Sequence, residues 1–411
     1  MSTDKIARDL QARLRSAPLD RPMGVIVRHR EGAFSAQALR TSAEVTHRYR
    51  LVSAAAMRLR PSDLQALSQD DAVEYIWPDL SVHTCLDASV PRLRAVQVWA
   101  AGLRGEGVRI GVVDTGIDAH HADFAGRIAA TSSHIGGDGT DDNGHGTHVA
   151  GIIAGSGAVS SGRYRGVAPA ARLFVAKVLD HTGAGTMSGV MAGIEWAVEQ
   201  GVQVINLSLG TEDPSDGSDA LSTLCDQVVR QTGTLICTAV GNYGPDPCSV
   251  SAPGCARWVV TVGALDGNDK VPDFSSRGPT SDGRVKPDVV CPGTGIVSAQ
   301  ARGTALGPVV GPGYVRLSGT SMAAPFATGA VALLLQAQPN LRPDQLKYVL
   351  LASTVNLGDS PNAQGSGRVD AFAAYRKVSA GALGQPRQAS PNPPAAASSW
   401  MERVIRALRS G

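Results

Sequence analysis

From residue 108 onward, short apolar runs alternate with longer stretches in which apolar residues recur every three or four positions. Residues 108–113, 173–178, 202–207 and 234–240 are rich in Val, Ile and Leu and too short for helices, so they predict strands. Residues 146–154, 189–199 and 219–232 carry the helical spacing. Alternation of this kind through residue 375 predicts an α/β domain, a mainly parallel sheet with helices on both faces. Ligands of such sheets gather at the carboxyl ends of the strands.

The preceding stretch has a different rhythm. Strands are predicted at 24–27, 46–52, 54–60 and 73–77, with helices at 35–40 and from Pro61 onward. The order β-α-β-β-α-β is that of a small ferredoxin-like α+β unit. Residues 1–22 read as a helical extension, with Ala7, Leu10 and Leu14 at helical spacing among Lys5, Arg8, Arg13 and Arg15. That extension has no apolar centre and no small-residue cleavage site, so a cytoplasmic location is expected. Residues 379–399, with Pro386, Pro391, Pro393 and Pro394, form a Pro/Ala/Ser-rich linker. Residues 400–411 set Trp400, Val404 and Leu408 against Arg403, Arg406 and Arg409, a short basic amphipathic helix. It is expected to pack on its own protein; a partner groove or an anionic membrane are the alternatives, and its partner stays open. Five segments result: 1–22, 23–85, 86–378, 379–399 and 400–411.

Composition narrows the partners. A net charge of +2 points to no nucleic acid, and no run approaches the roughly 18 apolar residues of a membrane span. Six cysteines (85, 225, 237, 248, 255, 291) are too sparse for a disulfide framework. Cys237 and Cys291 lie in apolar runs and are expected as buried thiols. Cys248 and Cys255 are near enough for a loop bridge, with free thiols the favoured state.

Three distant segments carry chemistry: Gly-Val-Val-Asp-Thr-Gly-Ile-Asp around Asp114, Asn-Gly-His-Gly-Thr-His-Val-Ala-Gly around His145, and Gly-Thr-Ser-Met-Ala-Ala-Pro around Ser321. Peptide hydrolysis by serine needs an imidazole to take the hydroxyl proton and a carboxylate to orient the imidazole. Asp114 follows an apolar strand directly, His145 opens a small-residue helix, and Ser321 sits at a helix N-terminus with unpaired N–H groups nearby. Pro325 is expected in the first turn of that helix, where its missing N–H costs little. Asp118 and Asp123 compete with Asp114 as turn carboxylates, and Ser318 competes with Ser321. His148, with Asp141 and Asp142, offers a metal reading of the His-x-x-His pair. His120 and His121 are expected in an exposed loop.

The three segments, in the order Asp, His, Ser, resemble the signatures of the subtilase family, and the resemblance runs from about residue 96 to 375. It implies a subtilisin-like fold and a serine endopeptidase, with Asp114, His145 and Ser321 catalytic and Asn242, in Ala-Val-Gly-Asn, the oxyanion-hole donor. Ser208-Leu209-Gly210 resembles the wall of the pocket for the residue before the scissile bond. Gly183-Ala184-Gly185 resembles the edge strand on which peptide substrates pair. No acidic residue stands in these segments, so broad specificity with an apolar preference is expected. Residues 274–280, 286–290 and 365–369 look like family scaffold.

Residues 23–85 resemble the family's pro-domain, an intramolecular inhibitor and folding aid; the alternative is a permanent accessory domain. Cleavage is then expected between residues 77 and 90, making the chain a self-processing precursor. No cofactor is required for the chemistry. Residues 155–165 lack the Asn-containing loop of the tight calcium site, leaving structural calcium without support beyond weak positions near Asp266 and Asp269. The chain is thus most similar to bacterial intracellular-type subtilases.

Three other functions compete with this one. An α/β-hydrolase esterase requires Gly where Ala323 stands and a different triad order. A non-catalytic peptide-binding protein fits poorly with complete Asp, His, Ser and Asn. A metallohydrolase would use His145 and His148.

Overall fold

Strands covered on both faces read as unbroken apolar runs, and those of the larger sheet are buried along nearly their whole length, apart from the half-buried edge strand Ile128–Ser133. The computed structural model describes residues 5–6, 10–11, 14, 22–30, 44–48, 54–78 and 86–382. They divide into two units, Met1–His83 and Thr84–Gly411.

The second unit opens with α-helices at Leu86–Arg92 and Ala95–Ala100. Its parallel sheet takes strands from both halves of the unit. Unit one holds β1 (Met23–His29), β2 (Glu44–Arg48), β3 (Ala54–Leu59), α1 (Pro61–Ser68) and β4 (Val73–Pro78). With the two opening helices as α2 and α3, unit two continues with β5 (Arg109–Asp114), β6 (Ile128–Ser133), α4 (His145–Ala154) and β7 (Arg172–Lys177). Then follow α5 (Met187–Glu199), β8 (Val204–Leu207), α6 (Ala220–Gln231), β9 (Leu235–Ala239) and β10 (Val260–Leu265). The unit ends with β11 (Val289–Pro292), β12 (Ile296–Ala299), β13 (Tyr314–Leu317) and α7 (Thr320–Ala337), then three further helices, the last at Ala371–Ser379.

Seven strands line up as β11-β10-β9-β8-β5-β7-β6, all parallel, and β12 pairs with β13 antiparallel. After β5 the chain builds β6 and β7 on one side, then crosses to build β8 onward on the other. The reversal falls between the carboxyl ends of β5 and β8, the crevice where such sheets bind ligands. Asp114 ends β5 and Ser208 follows β8. Helices cover both faces: α4 packs against α7, which lies over β8 to β11, while α5 and α6 pack together over β5, β7 and β9. Every predicted strand and helix of this unit is found within about two residues of its predicted bounds, and Asp219, read as the first residue of a helix, is the N-cap of α6. The helix α7 has the length and mean hydropathy (1.3) to cross a membrane, but 83% of it is buried as the central helix of this core.

In unit one the order β2-β3-β1-β4, antiparallel throughout, is that of the predicted ferredoxin-like arrangement. Val25, Val27, Met57, Leu59, Leu64, Leu67, Val73 and Ile76 form its core. The extension read as separate contributes to that core: Ile6 and Leu10 are buried in it, and Ile76 N–H donates to the Lys5 carbonyl at 2.8 Å. The predicted helix at 35–40, Cys85, most of the linker and the 400–411 helix lie outside the described residues. The five described cysteines are free thiols, with Cys248 exposed and Cys255 buried rather than bridged.

Candidate active site

The fold brings Asp114 and His145 into direct contact. Asp114 is fully buried at the end of β5, and His145 Nδ1 donates to its Oδ1 at 2.7 Å. That bond fixes the tautomer and leaves Nε2 of a neutral imidazole as the acceptor. The approach depends on Gly146, where a Cβ would stand 2.2 Å from the Gly116 carbonyl, and on Gly116, whose φ of +108° suits glycine. Burial alone depresses the basicity of His145, but the Asp114 carboxylate outweighs it, so the imidazole pKa stands above its ordinary value.

Asp141 holds this arrangement together, a role the sequence did not announce. Its buried carboxylate accepts from Thr115 Oγ1 (2.8 Å), Gly144 N (2.7 Å), Asn143 N (3.1 Å), Thr147 N (2.8 Å) and Thr147 Oγ1 (2.6 Å). Thr115 Oγ1 in turn accepts from Gly146 N at 2.8 Å, tying the start of α4 to the end of β5. Five donors saturate Asp141, and Asp142 pairs with Lys177 at 2.6 Å, so neither is disposed as a metal ligand. His148 turns away, its Nε2 against the Ile296 carbonyl at 3.1 Å, and burial followed by the nearby His145 pushes its pKa down to about 3. The metal reading of this segment has no donor set left to build on.

Ser321 is the second residue of α7, and Asn242 lies just past β9. Thr320 N–H donates to Asn242 Oδ1 at 2.9 Å, and Thr320 Oγ1 does so at 3.0 Å. Because those partners are donors, the amide is oriented, with Nδ2 left as a donor at the other end. Ser321 and Asn242 share a cleft of about 200 Å³ with Leu209, Gly210, Thr211, Ala239, Tyr243 and Ser251, none of them charged. The Ser321 hydroxyl donates to the Ser208 carbonyl at 3.0 Å, and among the described residues no hydrogen bond joins it to His145.

Pro325 is the sixth residue of α7, in the second turn rather than the first. Its missing N–H therefore leaves the Ser321 carbonyl without its helical donor. The Ser208 hydroxyl replaces it at 2.7 Å.

Other expectations fared unevenly. Gly183-Ala184-Gly185 forms no strand; it is an exposed turn in which Asp180 Oδ1 accepts from Thr182 N and Ala184 N, and Asp180 N–H donates to the Ala184 carbonyl. Ser318 accepts from Gly295 N, away from the cleft lining. His120 is exposed, but His121 is buried, with Nε2 at the Gly313 carbonyl and Nδ1 accepting from Asp123 N. Asp118 and Asp123 make structural contacts: Asp118 binds Arg302, and buried Asp123 accepts from Tyr314 OH (2.8 Å) and Val159 N (3.1 Å). The divergent 155–165 loop thus anchors on a carboxylate–phenol contact. Asp266 is occupied by the amides of Asn268 and Lys270, and Asp269 pairs with Arg92 and Arg368.

Residues 105–367 match the model of the subtilase family. The chain is 37% identical over 351 residues to serine protease AprX of Bacillus subtilis (strain 168), covering 79% of each. It is 37% identical to an alkaline protease of Shouchella clausii (81% of this chain, 82% of that one) and 38% identical to subtilisin DY of Bacillus licheniformis (66% and 92%). Among solved structures, a cold-adapted subtilisin-like serine proteinase aligns with a TM-score of 0.52 at 34% identity, over 65% of this chain and 88% of that one. A parallel seven-stranded sheet, a buried carboxylate on an imidazole and a serine at a helix start therefore meet in a chain that belongs to the subtilase family, as a subtilisin-like serine endopeptidase.

Proposed function

We propose that Asp114, His145 and Ser321 form the catalytic triad, with Asn242 as oxyanion donor. The 2.7 Å contact between Asp114 and His145 carries the reading, since it prepares one imidazole nitrogen to accept a proton. The Ser321 hydroxyl gives up its bond to the Ser208 carbonyl for one to Nε2 as the reaction begins. His145 removes the proton as Oγ attacks the peptide carbonyl, and Asp114 stabilises the imidazolium. The tetrahedral oxyanion is held by Asn242 Nδ2 and the Ser321 N–H at the start of α7. Collapse breaks the C–N bond, and the imidazolium protonates the departing amine. Water then attacks the acyl-enzyme, giving its proton to His145, and Ser321 leaves with that proton.

The uncharged cleft supports an apolar residue before the scissile bond, seated beside Ser208, Leu209 and Gly210. The exposed main chain at Gly183, Ala184 and Gly185 is offered for pairing with extended peptide substrates. Unit one is assigned as the pro-domain, released by cleavage between residues 77 and 90. Its ferredoxin-like strand order and its place directly before the protease unit support this.

Ser321→Ala is the test. Turnover of a peptide substrate falls about 10⁶-fold, the magnitude established for the subtilisin triad, and the variant chain keeps its full mass while wild type shortens. Residual activity near wild type, or equal processing of both chains, contradicts the assignment.

A further inference from the structure

β8 is an apolar strand, Val204-Ile205-Asn206-Leu207, with one polar residue in its middle. Asn206 is fully buried, and a buried amide persists only with its bonds satisfied. Its Nδ2 donates to Ser208 Oγ at 2.9 Å, and its Oδ1 accepts from Thr328 Oγ1, also at 2.9 Å. Thr328 is fully buried two turns along α7 from Ser321, where the Ala324 carbonyl at 3.2 Å is the other acceptor for its hydroxyl.

The direction of this chain is set by proton counting. Asn206 spends a donor on Ser208 Oγ, so the single proton of Ser208 must point elsewhere, and it points to the carbonyl that Pro325 has left free. Ser208 thereby touches Ser321 twice: its hydroxyl holds the Ser321 carbonyl, and its carbonyl holds the Ser321 hydroxyl. Ser208 directly precedes Leu209 and Gly210, which line the cleft, whereas Asn206 and Thr328 are neither part of its lining nor in contact with Ser321. Any action of the latter two on the chemistry passes through Ser208.

We infer that Asn206 and Thr328 are positioning residues, which seat Ser321 against the cleft wall by orienting the Ser208 hydroxyl. This rests on the reading of Ser321 as nucleophile. A buried neutral relay suits the task, because it fixes orientation without placing a charge beside the serine. Its loss shifts the nucleophile relative to base and oxyanion donor, and small displacements of reacting groups are costly in rate.

Thr328→Val keeps shape and removes the hydroxyl; Thr328→Ser keeps the hydroxyl. The measurements are the second-order rate of labelling by a small serine-directed phosphonate, kcat and KM on a peptide, and Tm. Thr328→Val is expected to slow labelling and kcat about tenfold with KM nearly unchanged, and Thr328→Ser to restore both. Should Thr328→Val fail to fold, Ser208→Ala removes the last link and is expected to slow phosphonate labelling and kcat about tenfold, its KM reporting in addition on the substrate wall. A lower Tm with unchanged labelling rate and kcat in the folded variant overturns the inference and makes the relay scaffold only. Failure of the underlying reading looks different: wild type then takes no label at Ser321, whatever residue stands at 328.

Discussion

Around Asp114 and His145 the polar contacts converge on carboxylates, whereas around Ser321 they run through hydroxyls and amides. On the first side, Asp141 gathers four donors from the segment that carries His145 and a fifth from Thr115 beyond β5, and Asp114 pairs with the imidazole. On the second side, Thr328, Asn206 and Ser208 pass one hydrogen bond to the next and end on a main-chain carbonyl. The difference follows from what each side must do. In the proposed mechanism the imidazole becomes cationic, so buried negative charge beside it is useful before the reaction starts. The serine must lose a proton and then regain it, and a fixed anion next to it would oppose the oxyanion that follows. One side is built to hold charge, the other to hold position.

Removing charge from the first side has the largest effect short of deleting the nucleophile. Asp114→Asn is expected to lower kcat about 10⁴-fold, because the imidazole loses its orienting acceptor and its electrostatic support. The pH profile sharpens the point. With neutral His145 as the proposed base, kcat/KM is expected to rise with pH through a pKa that lies above the ordinary histidine value in wild type. In Asp114→Asn that limb moves to lower pH, since the raising influence of the carboxylate is gone; an unmoved limb would assign it to another group.

The neutral side is tested at the oxyanion donor. Asn242→Ala removes Nδ2 and should lower kcat about 10²–10³-fold, as established for the equivalent change in subtilisin, with KM nearly constant. A loss confined to KM would make Asn242 part of substrate binding instead.

His148 gives the smallest effect and one on stability alone. Its folded pKa of about 3 lies below the ordinary value of 6.5, so between those pH values the unfolded chain binds a proton that the folded chain does not. Stability contributed by this group is therefore full above 6.5 and is lost as pH falls, with a limiting slope of about 1.4 kcal/mol per pH unit. His148→Gln should flatten the acid limb of unfolding free energy against pH, measured by denaturant titration, whatever its stability at neutral pH. An unchanged slope would assign the acid sensitivity to other groups.

The sequence made some of this legible and hid the rest for identifiable reasons. Asp114 could be read because an apolar strand runs directly into it, so burial and position followed from one pattern. Asp141 reads as a candidate metal ligand because a carboxylate near two histidines looks the same in sequence whether it meets a cation or five N–H and O–H donors. The segment Gly183-Ala184-Gly185 was expected as a strand, yet extended backbone needs a partner to stay extended, and local bonds to Asp180 win in its absence. Pro325 was placed one turn early, which concealed the carbonyl that Ser208 serves. The relay itself had one legible sign, the lone Asn in an apolar strand, but its partners lie 2 and 122 residues away and only the fold unites them. Pattern locates elements and motifs; long-range hydrogen bonds decide how their side chains are spent.

The most direct measurement is intact mass after incubation with a serine-directed phosphonate, for wild type and Ser321→Ala side by side. The account predicts one adduct on wild type, mapped to Ser321, on a chain that begins between residues 77 and 90, and a full-length, unlabelled variant. An adduct on Ser321→Ala, or a wild-type chain from which residues 1–77 have been removed that takes no label at Ser321, would contradict it.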